Sequence, residues 1–251
     1  MKKEIQIKSK KKILKNYIYT SIFFRILKLI LNPFKLFIKL KNYQNDKNSI
    51  VRIDWKKRTK LYGKYGVIDI QTPKEEFKYV TDIQKKIIFQ NLRKYLNGKE
   101  RKALDFGCGN GRFSEELTKV NNQILVLAVD TEKKLIDLAK RNNRVSFLYF
   151  RKLDEIKSSF DLIFISNVLG GIEKKNIIKI KDFLIRKLNR GGTLFLTEHI
   201  SKNKKKTKEI LKEWSNRNDI FYLNLFKKLN LKKVDEYKYL HNFTSIYVGK
   251  K

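Results

Sequence analysis

The stretch ALDFGCGNG, residues 103–111, runs from a short apolar segment into three glycines spaced two residues apart. It reads as a strand, a glycine turn and a helix beginning near Arg112. Gly107, Gly109 and Gly111 let the backbone turn tightly and approach a ligand without Cβ obstruction, and a helix start behind them offers free N–H groups. Two details separate this loop from the dinucleotide pattern G-x-G-x-x-G. The third glycine comes one residue early, so that Arg112 stands where a glycine is expected. Asp105, two residues before the loop, places a carboxylate where a pyrophosphate would be repelled and an ammonium welcomed.

Downstream, Gln123–Val129 is an apolar strand ending in Asp130, and a carboxylate at the end of a second strand is placed to bind the two hydroxyls of a ribose. Val145–Phe150 reads as the third strand and Asp161–Ile165 as the fourth, with Ser166 and Asn167 at its end. A helix near 174–189, the turn Arg190-Gly191-Gly192 and a fifth strand, Thr193–Thr197, follow. The tail reads as a helix over about 207–229 and strands near 231–239 and 243–248. Strands alternating with helices predict a parallel α/β sheet.

Upstream, Thr72, Pro73 and Glu75 form a helix start. Phe77, Val80, Ile83, Ile87, Ile88, Leu92 and Leu96 then keep helical spacing up to Asn97 and Gly98. Residues 41–71, dotted with Tyr43, Trp55, Tyr62 and Tyr65, read as a connector or lid. Between Ile22 and Leu40 the polar positions Arg25, Lys28, Asn32, Lys35 and Lys39 fall on one narrow helical stripe opposite a broad apolar face. Pro33 should kink or split that helix. Its charges argue against a bilayer span, which takes about 20 apolar residues, and against a secretory signal peptide.

An apolar face preceded by Lys10, Lys11, Lys12 and Lys15 suits an anionic membrane surface. Packing on the folded domain or a second subunit, and contact with RNA, are the alternatives. The 251 residues carry 59 Lys and Arg against 25 Asp and Glu, a net charge of +34. Residues 1–64 hold 19 basic and 3 acidic residues, the densest charge in the chain. Such a charge is suited to phosphates through counterion release, although a Lys-, Ile- and Asn-rich coding bias accounts for a spread excess equally well. With 41% apolar and 12% aromatic residues, disorder throughout is excluded. One cysteine, Cys108, excludes a disulfide framework and a multi-cysteine zinc site, and two histidines leave little scope for any metal centre.

ALDFGCGNG, the strand-ending Asp130, FDLIFISNVLGGI and RGGTLFL, in that order, resemble the class I S-adenosylmethionine-dependent methyltransferases of the generic methyltransferase-domain subgroup. The resemblance implies a Rossmann-like seven-stranded sheet with the last strand antiparallel, and S-adenosyl-L-methionine as cofactor. By it, Asp105 lies near the methionine amino group and Gly107, Gly109 and Gly111 line the cofactor. Asp130 holds the ribose, Thr131 sits near the adenine, and Asn167 contacts the methionine end through its backbone. The chain departs from the family after the third strand, where Arg151 and Lys152 precede Asp154 and Glu155. It departs again after the fourth, where Gly170 and Gly171 replace a histidine.

Ser166-Asn167-Val168-Leu169 in place of an N-P-P-Y segment argues against methylation of an adenine amino group. Cys108, inside the cofactor loop, leaves no free thiol for a cysteine nucleophile. Glu198 and His199, just past the fifth strand, stand where substrates bind in open α/β sheets, and a histidine there has the pKa of a base; an ordinary loop histidine is the competing reading. His241 reads as structural, and Tyr62 and Tyr65 as caps over the cofactor or as packing.

The division expected is a basic amphipathic extension (1–48), a connector with a leading helix (49–98) and a methyltransferase domain (99–251). The function expected is O-methylation of a small-molecule, glycan or lipid-linked acceptor, such as a sugar of a surface polysaccharide. The enzyme would be cytoplasmic, peripheral at the inner face of an anionic membrane through residues 10–41. An RNA methyltransferase and a non-catalytic cofactor-binding module are the alternatives.

Overall fold

The computed structural model describes residues 3–5, 54–69, 72–139, 144–202, 208–211, 214–240 and 242–251. The amphipathic stretch at 22–40, the lysines at 10–15, Tyr43 and His241 lie outside the described residues. In chain order the strands are β1 (Lys3–Ile5), β2 (Lys102–Phe106), β3 (Leu125–Asp130), β4 (Val145–Tyr149) and β5 (Phe160–Ser166). They continue with β6 (Leu188–Ile200), β7 (Lys208–Leu211), β8 (Trp214–Asn216), β9 (Lys232–Tyr239) and β10 (Asn242–Lys250). The helices are α1 (Trp55–Tyr62), α2 (Phe77–Arg93), α3 (Ser114–Leu117), α4 (Lys133–Leu138), α5 (Lys174–Lys187) and α6 (Asp219–Leu225).

The main sheet runs β1-β9-β10-β6-β5-β2-β3-β4, with β10 antiparallel to both its neighbours and the other pairs parallel. Its seven-stranded part, with the last strand antiparallel, is the sheet the resemblance implied. Lys3–Ile5 adds an eighth strand along Tyr237–Tyr239, where the open edge of β9 presents backbone groups that any strand can pair. β2 and β5 are apolar nearly throughout and buried, as parallel strands covered on both faces must be.

α2 covers one face. Its Val80, Ile87, Ile88, Phe89 and Leu92 enter a core with Phe113, Phe164 and Phe195, where the rings of Phe89, Phe164 and Phe195 stack at 5.7 and 5.8 Å. α5 and α6 cover the other face, where Ile177, Ile180, Phe183, Leu184 and Tyr222 meet Leu104, Phe106, Ile163, Ile165 and Leu196.

Three local expectations change. The connector contains a regular helix, α1, because the Asp54 side chain accepts the N–H of Lys57 at 2.9 Å and caps it. The helix expected over 207–229 is instead the β7–β8 hairpin followed by α6. Asn218, extended in backbone, accepts the Phe221 N–H at 2.9 Å and starts the helix there. Behind the glycine loop, where the sequence suggested a helix from near Arg112, α3 is a single turn over Ser114–Leu117, so no long helix dipole points at the space in front of the loop.

Candidate active site

β2, β3 and β5 end side by side, and the order of the sheet reverses between β2 and β5. That is where open α/β sheets form a crevice. A cleft of about 1190 Å³ opens there, walled by the glycine loop, Asp130, Thr131, the segment after β4, and Asn167 and Val168 after β5.

The glycine loop is shaped mainly by backbone. The N–H groups of Gly107 and Cys108 both donate to the carbonyl of Val129, at 2.9 and 3.0 Å. Gly107 has φ +76°, and a Cβ on it would lie 2.5 Å from a methyl of Val168. Glycine there lets the loops after β2 and β5 touch. Gly111 (φ +74°) similarly admits the Phe147 ring, which a Cβ would approach to 2.8 Å. The N–H of Gly109 donates to Asp130 Oδ2 at 2.8 Å, while Glu132 N–H donates to Oδ1 at 2.9 Å. Asp130 thus ties the end of β3 to the loop. Burial raises its pKa and these N–H bonds pull it back. An ionised carboxylate has about four lone-pair sites, so two bonds leave room for the hydroxyls of a diol.

Asp105 is buried at the foot of the loop and accepts a bond from Ser114 Oγ at 2.6 Å. Burial pushes its carboxyl up to about 7, against the pull of that bond; the Asp130 carboxylate adds to the rise and Arg112 opposes it. Thr131 is exposed at the rim. Asn167 adopts φ +54°. Its N–H is taken by the carbonyl of Thr197 at 2.8 Å, and its Oδ1 accepts the His199 N–H at 3.1 Å. The N–H is therefore committed within the protein, and of its backbone groups the carbonyl remains for a ligand. Cys108 is buried, and burial pushes its thiol well above the ordinary range, so it stays protonated.

The two residues expected to supply a base stand elsewhere. Neither Glu198 nor His199 lines the cleft. Successive side chains of a strand point to opposite faces, and β6 sends these two apart. Glu198 is fully buried, its Oε1 accepting the N–H groups of Val168 and Leu169 at 2.9 and 2.7 Å and its Oε2 that of Gly170 at 3.2 Å. Burial raises its carboxyl to about 7 against those three bonds. His199 sits with Nδ1 2.9 Å from Thr244 Oγ1; burial, then the charge of Arg112, lowers it to about 4. An imidazole that weak is a poor base at neutral pH. Tyr65 packs edge-on against Phe77 at 5.2 Å, and Trp55 and Val67, rather than Tyr62 or Tyr65, reach the cleft.

Sequence reasoning also passed over Arg217 and Arg112. The buried Arg217 donates to the carbonyls of Leu169 at 2.6 Å and Ile172 at 2.8 Å, and nothing local in the chain announces that. Arg112 was noticed only as the residue that is not a glycine.

A profile of the family described as "Methyltransferase domain" matches residues 97–244. The chain belongs to that methyltransferase family. It is similar to the malonyl-[acyl-carrier protein] O-methyltransferase of Legionella pneumophila, 25% identical over 161 residues that cover 61% of this chain and 55% of that protein. The chain thus spans about half the length of that relative.

Among solved structures it resembles a SAM-dependent methyltransferase from Leishmania major (TM-score 0.54, 22% identity, 68% of this chain and 73% of that one). It also resembles DhpI in complex with SAH (TM-score 0.56, 13% identity, 78% and 94%). It carries a methyltransferase domain. Its cleft fits S-adenosylmethionine chemically. Asp105, a buried carboxylate with one side-chain hydrogen bond, matches an ammonium, and Asp130, with two bonds already made, matches a ribose diol.

Proposed function

We propose that this methyltransferase methylates an oxygen of a small or lipid-linked acceptor. The observation that carries this reading is the size of the cleft. At about 1190 Å³ it exceeds the roughly 300–1,000 Å³ of a typical single-ligand pocket, leaving space for an acceptor beside the cofactor. The O-methyltransferase named among the relatives adds support for oxygen as the acceptor atom.

Bound in the cleft, S-adenosylmethionine supplies a methyl group activated on a sulfonium. The chain's own residues bind and orient it. Asp105 pairs with the amino group of the methionine part, and that cation draws its carboxyl down from about 7 into the ionised form. Asp130 accepts the ribose hydroxyls, Thr131 borders the adenine, and the Asn167 carbonyl faces the methionine end. Gly107, Gly109 and Gly111 keep side chains out of the space these groups need. Trp55 and Val67 line the cleft on its N-terminal side, where their apolar surface would shield the transfer from water.

The basic segment at 10–41 is proposed to hold the enzyme on an anionic membrane, which suits a lipid-linked acceptor. No helix among the described residues is long and apolar enough to cross a membrane. Two measurements test the reading. Transfer of a deuterated methyl group from labelled S-adenosylmethionine into small-molecule, lipid and RNA fractions of a cell extract should label an oxygen in the first two. Label on nitrogen, or label entering RNA, overturns it. Flotation with phosphatidylglycerol vesicles should be lost on deleting residues 1–41; flotation unchanged by the deletion removes the membrane assignment.

A further inference from the structure

The two ends of the cleft differ in charge. From the glycine loop to Val168 its wall carries one cation, Arg112, and two carboxylates, Asp105 and Asp130. Beyond Phe150 the cleft continues as an arm between the segment after β4 and α5. Arg151, Lys152 and Lys157 stand on one bank of it, and Lys175, Lys179 and Arg186 on the other. Half of the 14 residues lining the arm are Lys or Arg, against 59 of 251 in the chain, so a charge spread evenly over the surface does not account for it.

Little in the protein neutralises this arm. Its carboxylates are Asp154 and Asp182, and Asp182 is taken by Lys181 at 2.8 Å. Lys175 pairs with Glu173 at 3.1 Å, whereas no ion pair among the described residues engages the other five. Lys187, which also lines the arm, donates to the carbonyl of Lys157 at 2.7 Å and ties the two banks together. Lys175 and Lys179 repel each other at i,i+4 on α5, so the row lowers the helix's own stability.

The cofactor does not explain the arm. S-adenosylmethionine has no phosphate, and its ammonium and sulfonium outweigh its one carboxylate, so a cationic wall repels it. A second copy of the chain, at +34, or its own basic first 64 residues fit no better. A compact anion does fit, because Lys meets phosphate as a point charge and Arg as a fork. Ile178, exposed on α5, and the buried rings of Phe150 and Phe183 line the same arm, so an apolar part of a ligand finds room beside the charges.

We propose that this arm binds phosphate and that the acceptor of the methyl group carries a phosphate or diphosphate. The acceptor would reach the cofactor past Ile172 and Val168, which line the same cleft. This rests on the reading above, in which a small or lipid-linked acceptor lies beside the cofactor.

The test is calorimetric titration of the full chain saturated with S-adenosylhomocysteine. The probes are pyrophosphate, glucose 1-phosphate and dodecyl phosphate, with glucose and dodecyl maltoside as uncharged counterparts. The phosphorylated probes should bind and the uncharged ones should not. Lys179→Gln combined with Arg186→Gln should weaken that binding at least about tenfold while changing S-adenosylhomocysteine affinity by less than about threefold. Lys227→Gln combined with Lys228→Gln, outside the cleft, removes the same charge and should change it less than about twofold. All four residues are exposed, where substitution leaves the fold intact. The labelled product of the extract experiment should contain phosphorus by mass spectrometry.

Tighter binding of dodecyl phosphate than of glucose 1-phosphate puts the phosphate on a lipid, and the reverse order puts it on a soluble compound; both support the site. No binding of any phosphorylated probe, equal binding of the uncharged counterparts, equal losses in the two double variants, or a labelled product without phosphorus overturns the proposal. So does a single-stranded RNA oligomer that displaces pyrophosphate and is weakened by the first double variant, which makes the arm a nucleic-acid surface. Failed phosphate binding with label still entering an oxygen overturns this inference alone. Label on nitrogen with phosphate binding intact overturns only the oxygen reading.

Discussion

Two loops meet across the cleft, residues 107–111 after β2 and residues 167–172 after β5, and they are held by different means. The first is fastened by main-chain bonds and by positive-φ glycines, with one carboxylate, Asp130, from the neighbouring strand. The second is clamped by two buried ionisable side chains from distant parts of the chain. Glu198 takes three of its N–H groups and Arg217 two of its carbonyls. A glycine loop must leave its inner surface open to a ligand, so little besides backbone can shape it. The loop after β5 borders the ligand on one side only, and its back can be gripped. Glu198, an acid–base candidate in the sequence, is a residue that positions this second loop.

The largest test of this contrast is Glu198→Ala. It strands three buried N–H groups and removes the carboxylate beside Arg217, so a loss of about 3–5 kcal/mol is expected in denaturant unfolding. Glu198→Gln, which keeps one acceptor oxygen, should cost clearly less, and equal costs would show that charge alone matters.

Gly107→Val comes next. Positive φ costs a side chain about 1–2 kcal/mol, and crowding against Val168 about 1–3 more. Binding of S-adenosylmethionine should be lost with it, measured by calorimetry. Retained affinity would mean that the two loops need not touch.

A pH series gives a smaller effect. Asp105, ordinarily near 3.8, titrates near 7 in the fold. Between those values the folded state holds the extra proton, so this group's stabilisation is present at acid pH and is lost as pH rises through 7. Its slope is at most about 1.4 kcal/mol per pH unit. The stability of the wild type relative to Asp105→Asn should therefore fall from pH 5 to pH 8 without cofactor, and fall less with it. Glu198 contributes with the same sign in both proteins. His199, lowered to about 4, opposes it by losing stabilisation as pH falls below 6.5.

The smallest effect is expected for His199→Ala, with turnover within about threefold of wild type, because the imidazole stands outside the cleft. A loss of a hundredfold or more would return it to the mechanism.

How legible each residue was follows from how its signal is carried. Gly107, Gly109, Gly111, Asp105 and Asp130 are written into short segments: an apolar strand followed by glycines, or one ending in a carboxylate. The seven-stranded sheet with its antiparallel last strand was expected only through the resemblance these segments bear to the methyltransferase family; the segments themselves predicted a parallel α/β sheet. The β7–β8 hairpin was misread because 207–216 carries apolar residues at spacings a helix would also use, and Asn218 starts the helix only later. Trp55 and Val67 could have been picked out only as apolar residues in a polar connector, and their reach into the cleft depends on how α1 docks.

By itself the sequence determined the α/β order, the glycine turn and the acidic strand ends, because these are set by neighbours within a few residues. Only the tertiary structure decided which polar groups at the sheet edge face the cleft. On β6 one residue of register turns Glu198 and His199 away to opposite faces. Arg217 reaches its carbonyls across 45 to 48 residues of chain, and Arg112 becomes a cation on the cleft wall. Those outcomes depend on long-range packing, where burial and partner geometry outweigh the identity of the side chain.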